Sequence, residues 1–489
     1  MIDAQEPGEM IELVSRLRDA LDTAGVVYCH WKSNEALRQA ASGDQDLDLL
    51  IAREDATRFA SIVQGLGFVL ARPSRDRQLP GILDYYGVDQ GTMKIVHVHA
   101  HYQLVVGDDM TKNFRLPVEQ PYLRSRTNET QLPIPSADWE YLVFVIRMVV
   151  KHSPLDAQIA RKGKLSLSER RELVDLTARS EPEQVDDLRR SHLPIVGDDL
   201  FQQCLDAIHG RLNRIQRALV ARRLLRALDG LGRHRPGVDA SLRVWRRLLR
   251  RYRARSERQP IGKRPDVGGA VVAIVGGDGS GKSTAVSTLV DHFAKDMSVR
   301  RIHMGKPPWS RLSRLVRRPI QKARRRGFFE ATRLTPWDSI ENFPGLSFCV
   351  WHASIARDRF LQYRRARRDA GRGVLVVSDR WPLSNIGLMD SARLGRIPGL
   401  TDGRVANWLA ARERRYYDSI LPPDLVIVLR ASPGVAIERR HEDSAEFVRI
   451  RASEVFDSDW SGLPAVVIDA DLPEVEVQRR VRQAVWSIL

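Results

Sequence analysis

Residues 273 to 286 read AIVGGDGSGKSTAV, an apolar run that enters a glycine-rich turn and leaves it as helix-compatible sequence. Gly276, Gly281, Lys282 and Ser283 satisfy the spacing G-x-x-x-x-G-K-[ST], whose chemistry is the binding of a polyphosphate. Gly276, Gly277, Gly279 and Gly281 let the backbone curl around Asp278 and Ser280, so that successive N–H groups point at phosphate oxygens. Thr284 follows in the first turn of the expected helix, where the positive helix end adds to the attraction. Lys282 reaches the outer phosphates and the Ser283 hydroxyl binds Mg²⁺, which predicts ATP and Mg²⁺ as ligands. A second acid fits the same chemistry. Asp379, in GVLVVSDRWPLS, ends a strand-like apolar run. The carboxyl end of a strand is where open parallel sheets collect ligands, so Asp379 is the expected second metal-directed group.

The first half of the chain carries a different constellation. In HWKSNEALRQAASGDQDLDLLI, Asp46 and Asp48 flank Leu47 on an expected strand, so both carboxylates project to one side and can share divalent metals that activate a nucleoside triphosphate. The downstream run KIVHVHAHY offers His97 and His99 to the same region.

The elements that must position these residues can be read from periodicity. Residues 1 to 135 alternate amphipathic helices with short runs of period two, the mark of an α+β domain. From Ser136, an expected N-cap, residues 136 to 255 read as helical, with Asp138 and Glu140 at the positive helix end. The last part of that stretch resembles two halves of a basic helical hairpin broken at GRHRPG. Residues 256 to 269, SERQPIGKRPDVGG, have linker composition. Residues 270 to 489 alternate strand and helix signals, the pattern of a parallel sheet covered on both faces.

Composition limits the classes available. The chain has 489 residues, a net charge of +17 and three widely spaced cysteines, Cys29, Cys204 and Cys349, expected as ordinary buried thiols. Between Arg211 and Arg264, 18 Lys or Arg face three acids, a local excess of +15, so residues 211 to 255 are expected to contact polyanions. The run from Ser310 to Arg326 also lacks acids. The apolar stretch from Tyr141 to Val150 is about half of the roughly 20 residues a membrane span needs and contains Arg147, so a buried helix is expected and no transmembrane segment. The acidic start MIDAQEPGEM has no signal-peptide pattern, and the expected location is cytoplasmic.

Residues 268 to 489 resemble the thymidylate kinases and related P-loop nucleotide kinases. The likeness is carried, in the family's order, by GGDGSGKST, by SDRWPLS as a form of the Asp-Arg-aromatic motif, by PPDLVIVLRASPGVAIERR, and by VVIDA with the closing helix. It implies that Asp278 and Asp379 face the acceptor and the metal and that Arg380 contacts phosphate. ERRHEDSAEFVRIR would form a mobile lid, with Arg439, Arg440 and Arg449 as the residues covering the transferring group. The phosphate loop has no arginine of its own, as in the branch whose catalytic arginine comes from the lid. Where that family carries an Arg-Glu-Pro-Gly type stretch, this chain reads RIHMGKPPWSRLSRLVRR, which widens the expected acceptor from a nucleoside monophosphate to other small metabolites, sugar-related ones included. Residues 1 to 135 resemble, more weakly, nucleotidyltransferases of the polymerase-beta type, with Lys32-Ser33 in place of the usual Gly-Ser and histidines where a third acid is usual.

The expectation is therefore a P-loop kinase dependent on ATP and Mg²⁺, acting on a small acceptor and forming a homodimer, behind a nucleotidyltransferase-like domain and a basic helical region. An ATP-binding switch or interaction protein, and a bifunctional nucleotidyltransferase-kinase, are the alternatives.

Overall fold

The computed structural model describes residues 9–159, 163–256, 262–325, 345–396, 403–440 and 444–489. The chain divides into two compact units, Met1–Gln259 and Pro260–Leu489.

In the first unit, five strands form a mixed sheet in the order β1-β2-β5-β4-β3: β1 (Tyr28–His30), β2 (Leu47–Ile51), β3 (Val69–Arg72), β4 (Ile82–Val88) and β5 (Ile95–His101), followed by an antiparallel pair, β6 (Leu104–Val106) and β7 (Phe114–Leu116). β2 and β5 are parallel, and the other neighbours are antiparallel. Period two sorts the side chains between the faces. Leu47, Leu49, Ile51, Val96, Val98, Ala100 and Tyr85 pack in one core with Leu13, Leu17 and Leu21 of the helix Glu12–Thr23 and Phe59 and Val63 of the helix Ala56–Gly65. The intervening residues Asp48, Asp84, His97, His99 and His101 therefore share the opposite face.

That opposite face meets the helical part of the unit. Cys29, Trp31 and Leu50 join a core with Trp139, Leu142, Phe144 and Ile146 of the helix Ala137–His152, around which Leu173, Val185, Phe201 and Leu224 from four further helices gather. Ser136 caps Ala137–His152, accepting from the Trp139 N–H, as its sequence predicts. The apolar run Tyr141–Val150 is buried there except for Arg147, which reaches Glu172 at 2.6 Å. Among the described residues no helix is long and apolar enough to cross a membrane, and all three cysteines are buried.

The two basic helices are Arg214–Ala227 and Pro236–Ser256. Arg243 is buried against Asp156 at 2.9 Å, Arg247 reaches Asp108 at 2.5 Å and Asp156 at 2.9 Å, and Arg246 donates to the Met110 carbonyl at 2.7 Å. Part of the basic excess is thus neutralised inside its own unit, while Arg250 and Arg251 are exposed.

In the second unit, β8 (Val271–Gly276), β9 (Val299–His303), β10 (Leu375–Asp379), β11 (Leu425–Arg430) and β12 (Ala465–Asp469) form a parallel sheet in the order β9-β10-β8-β11-β12. β8, β10 and β11 are almost wholly buried, as strands covered on both faces must be. The chain runs from β8 outward to β9 and later crosses back to β11, so the direction of winding reverses at β8. The carboxyl end of β8, between those of β10 and β11, is the place where such sheets bind ligands. Both Gly276 and Asp379 lie there.

Candidate phosphate-binding site

β8 ends at Gly276 and the helix Lys282–Phe293 begins six residues later, so the glycine loop is held between the end of the buried central strand and a helix N-terminus. The first N–H groups of that 12-residue helix have no partner within it and point toward the loop. Two glycines are required by geometry. Gly279 has φ +83°, and a Cβ there would come within 2.5 Å of the Ala436 carbonyl oxygen; a Cβ on Gly276 would come within 2.7 Å of the Leu429 carbonyl oxygen. The Ser280 hydroxyl is buried without a partner, a polar atom that a phosphate oxygen would satisfy.

Lys282 is 7% exposed and donates to the Gly277 carbonyl. Burial, with Arg380 next to it, pushes its pKa from 10.5 down to about 8, against the pull of Asp278 and Asp379. Asp278 lies between two guanidinium groups, with Arg380 Nη2 at 3.2 Å and Arg451 Nη1 at 2.8 Å. Its burial alone would raise its pKa, but the Arg451 hydrogen bond and the charges of Lys282 and Arg380 outweigh that and hold it below the ordinary value. One carboxylate thereby keeps three cations converged beside the loop, and a polyphosphate offers more acceptor oxygens to the same three.

Asp379 is buried at the end of β10, in register with Ile274 of β8 and His303 of β9. The next residue, Arg380, has φ +67°, an arrangement that costs a side-chain-bearing residue about 1 kcal/mol or more. It is fixed there by its own N–H to the Ile274 carbonyl and by the Ser378 hydroxyl donating to its carbonyl at 2.7 Å. The turn aims the Arg380 side chain back at the loop. Asp379 and the exposed Ser283 hydroxyl are the oxygen donors suited to a hard Mg²⁺ ion.

The arginines expected of the lid divide. Arg440 is close enough to Lys282 to depress its pKa. Arg439 donates to the Ala470 carbonyl at 3.0 Å, and Arg449 is exposed on the helix Ala445–Asp457. His441, Glu442 and Asp443 lie outside the described residues. The arginine that meets the loop is Arg451, which sequence reasoning missed. It stacks 3.9 Å from the centre of the Phe447 ring as it reaches Asp278. Residues two apart on a helix point to nearly opposite sides. The buried Val448, Ala452 and Val455 mark the inward face and were the available signal that 451, not 449, lies beside it.

The basic and aromatic stretch after β9 is partly an internal structure. Arg317 is sandwiched between Trp309 and Trp351, 5.2 and 5.4 Å from the ring centres, and reaches Ser354 at 2.6 Å and Asp358 at 3.3 Å.

In the first unit, the structure places Asp48 on β2, 2.9 Å from Lys32 Nζ and 2.9 Å from His99 Nδ1. Asp46 precedes β2 and meets His97 Nδ1 at 2.9 Å. A third acid, Asp84 on β4, meets His97 Nε2 at 2.9 Å. The sequence reading missed Asp84 because it did not recognise β4.

No family model matches the chain. Over 224 residues, 44% of this chain, it is 28% identical to "Uncharacterized ATP-binding protein YghR" of Escherichia coli strain K12, covering 86% of that relative. The protein of the same name in Escherichia coli O6:H1 matches to the same extent.

Proposed function

We propose that the second unit binds ATP with Mg²⁺ and transfers the γ-phosphate to a small acceptor, in the manner of the thymidylate and nucleoside monophosphate kinases. The observation that carries the reading is the convergence of Lys282, Arg380 and Arg451 on the mouth of a glycine loop at the switch point of a parallel sheet. The name of the Escherichia coli relatives, an ATP-binding protein, agrees with the nucleotide-binding part of it.

Phosphoryl transfer asks a protein mainly to position the groups and to neutralise charge on the transferred one. Loop N–H groups and the helix end hold the phosphates in place. Lys282, released from the Gly277 carbonyl, sets its ammonium against the outer phosphates. Arg380 and Arg451, held ready by Asp278, place further positive charge where it develops during transfer. Ser283 and Asp379 would hold Mg²⁺, which supplies charge neutralisation and orientation of the phosphate oxygens. Asp278, exchanged out of its pairs, is then placed to accept a hydrogen bond from the acceptor. The acceptor class we propose is a nucleoside monophosphate or a sugar-related metabolite.

The test is a screen of acceptors with γ-labelled ATP, wild type against Lys282→Ala. Labelled acceptor from the wild type alone supports the kinase. Tight ATP binding with only slow hydrolysis across all acceptors would instead favour a nucleotide-driven switch.

A further inference from the structure

The inward face of the first unit's sheet carries a cluster that the phosphate chemistry does not use. Three histidines at alternate positions of β5, His97, His99 and His101, point to one side, and His99 pairs in register with Asp48 on β2 and with Asp84 on β4. Asp48 Oδ1 lies 2.9 Å from His99 Nδ1 and 3.8 Å from His101 Nε2, and the two ring nitrogens are 3.2 Å apart. We propose that Asp48, His99 and His101 form a binding site for a borderline divalent transition metal of the Zn²⁺ class.

The argument is geometric. The three separations average about 3.3 Å, the ligand-to-ligand spacing that tetrahedral coordination at about 2.0–2.1 Å requires. A point about 2 Å from all three atoms lies close to the centre of their triangle, within the Zn–N and Zn–O distance range. Without an ion the same three atoms can be held together only by protons carried on the two ring nitrogens. A cation accepts all three lone pairs together.

The surroundings combine a nearby acid, an aromatic wall and an opening. The far nitrogen of His99 lies 3.8 Å from Asp84 Oδ1, so this carboxylate adds negative charge beside the proposed ligand while its hydrogen bond goes to His97 Nε2 at 2.9 Å. The Trp31 ring meets the His101 ring edge-on with centres 5.0 Å apart. Asp48 also borders a cavity of about 300 Å³ lined by His30, Ser33, Ala40, Gln45 and Asp46, which gives an ion a way in. Two imidazoles with one carboxylate select Zn²⁺, Mn²⁺, Fe²⁺ or Co²⁺ over Mg²⁺. The charges to be overcome are the ammonium of Lys32, 2.9 Å from Asp48, and that of Lys112, which is coupled to Asp48 and Asp84. Lys32 holds the position of a counter-ion and is displaced when the metal enters.

The test uses the full chain, nucleotide-free, titrated with Zn²⁺ against a chromophoric chelator and, separately, with Co²⁺ followed by visible absorption and by nitrogen couplings in pulsed electron paramagnetic resonance. The expected result is one ion per chain, four-coordinate Co²⁺ bands, and couplings from two imidazoles. His99→Asn should weaken binding by at least about 100-fold, since loss even of an outer-shell partner costs 10–100-fold. Lys32→Met, which leaves every ligand in place, should bind about tenfold or more tighter. If His99→Asn does not fold, the Co²⁺ spectra of wild type and Lys32→Met decide the question. Absence of a bound ion in both, Co²⁺ without imidazole couplings, or equal affinity in His99→Asn would overturn the proposal.

Discussion

Replacing Lys282 by methionine should make the chain at once more stable and catalytically inert. Folding lowers the pKa of Lys282 from 10.5 to about 8, chiefly by burying it, so charging this residue opposes folding. At about 1.4 kcal/mol per pH unit the opposition amounts to about 3 kcal/mol. Below about pH 8 the folded and unfolded chains both carry the proton, and the whole cost is present. Between about 8 and 10.5 the unfolded chain keeps a proton that the folded chain has lost, so the stability of the wild type rises with pH through this window. Methionine has similar volume and no charge to bury, so Lys282→Met should gain about 1–3 kcal/mol at pH 7 and show no such rise. The assay is urea unfolding of the full chain at pH 7 and pH 9.5, following the transition that ATP shifts in the wild type. Transfer to the best acceptor should fall by about two to five decades, the effect of about 3–7 kcal/mol of lost charge stabilisation. A variant less stable than wild type at pH 7, or one that transfers phosphate at the wild-type rate, would refute the reasoning.

Three further outcomes are expected. Arg451→Ala removes one of the two guanidinium groups on Asp278 and should lower kcat by about 10²–10³ with a smaller change in ATP affinity, whereas Arg449→Ala, at an exposed position of the same helix, should leave both within twofold or so; steady-state kinetics with ATP varied checks this. Gly279→Ala forces a Cβ to within 2.5 Å of the Ala436 carbonyl at φ +83°, and should cost about 1–3 kcal/mol of local stability and the ATP affinity measured by calorimetry. Polyanion binding by residues 211 to 255 should be weaker than the local charge suggests, because Arg243, Arg246 and Arg247 are engaged within their unit; Arg250→Glu with Arg251→Glu should flatten the salt dependence of heparin binding, while a steep slope that survives the pair would place the contact elsewhere.

What the sequence determined by itself was local or one-dimensional. The glycine spacing that permits positive φ at Gly279 and Gly281, the lysine and serine that follow, the N-cap at Ser136 and the strand–helix alternation that makes a parallel sheet are all properties of neighbouring residues, and each was legible as such. Contacts between distant elements were not. Arg451 and Asp278 are 173 residues apart, and the helix could show only that one side of it is buried, not which carboxylate its arginine would meet. Asp84 joined the histidine cluster through the antiparallel pairing of β4 with β5, in a segment whose Tyr85-Tyr86 pair hides the period-two pattern. Likewise the +15 excess is visible in the sequence, but its internal neutralisation depends on Asp108 from a turn and Asp156 from a short helix, about 90 to 140 residues earlier. Strand order, register and the partner of each buried charge are decided by which surfaces close together. A charge is screened strongly in the solvated unfolded chain and little in the folded interior, so a specific partner for each buried charge exists only once folding has brought the two within contact.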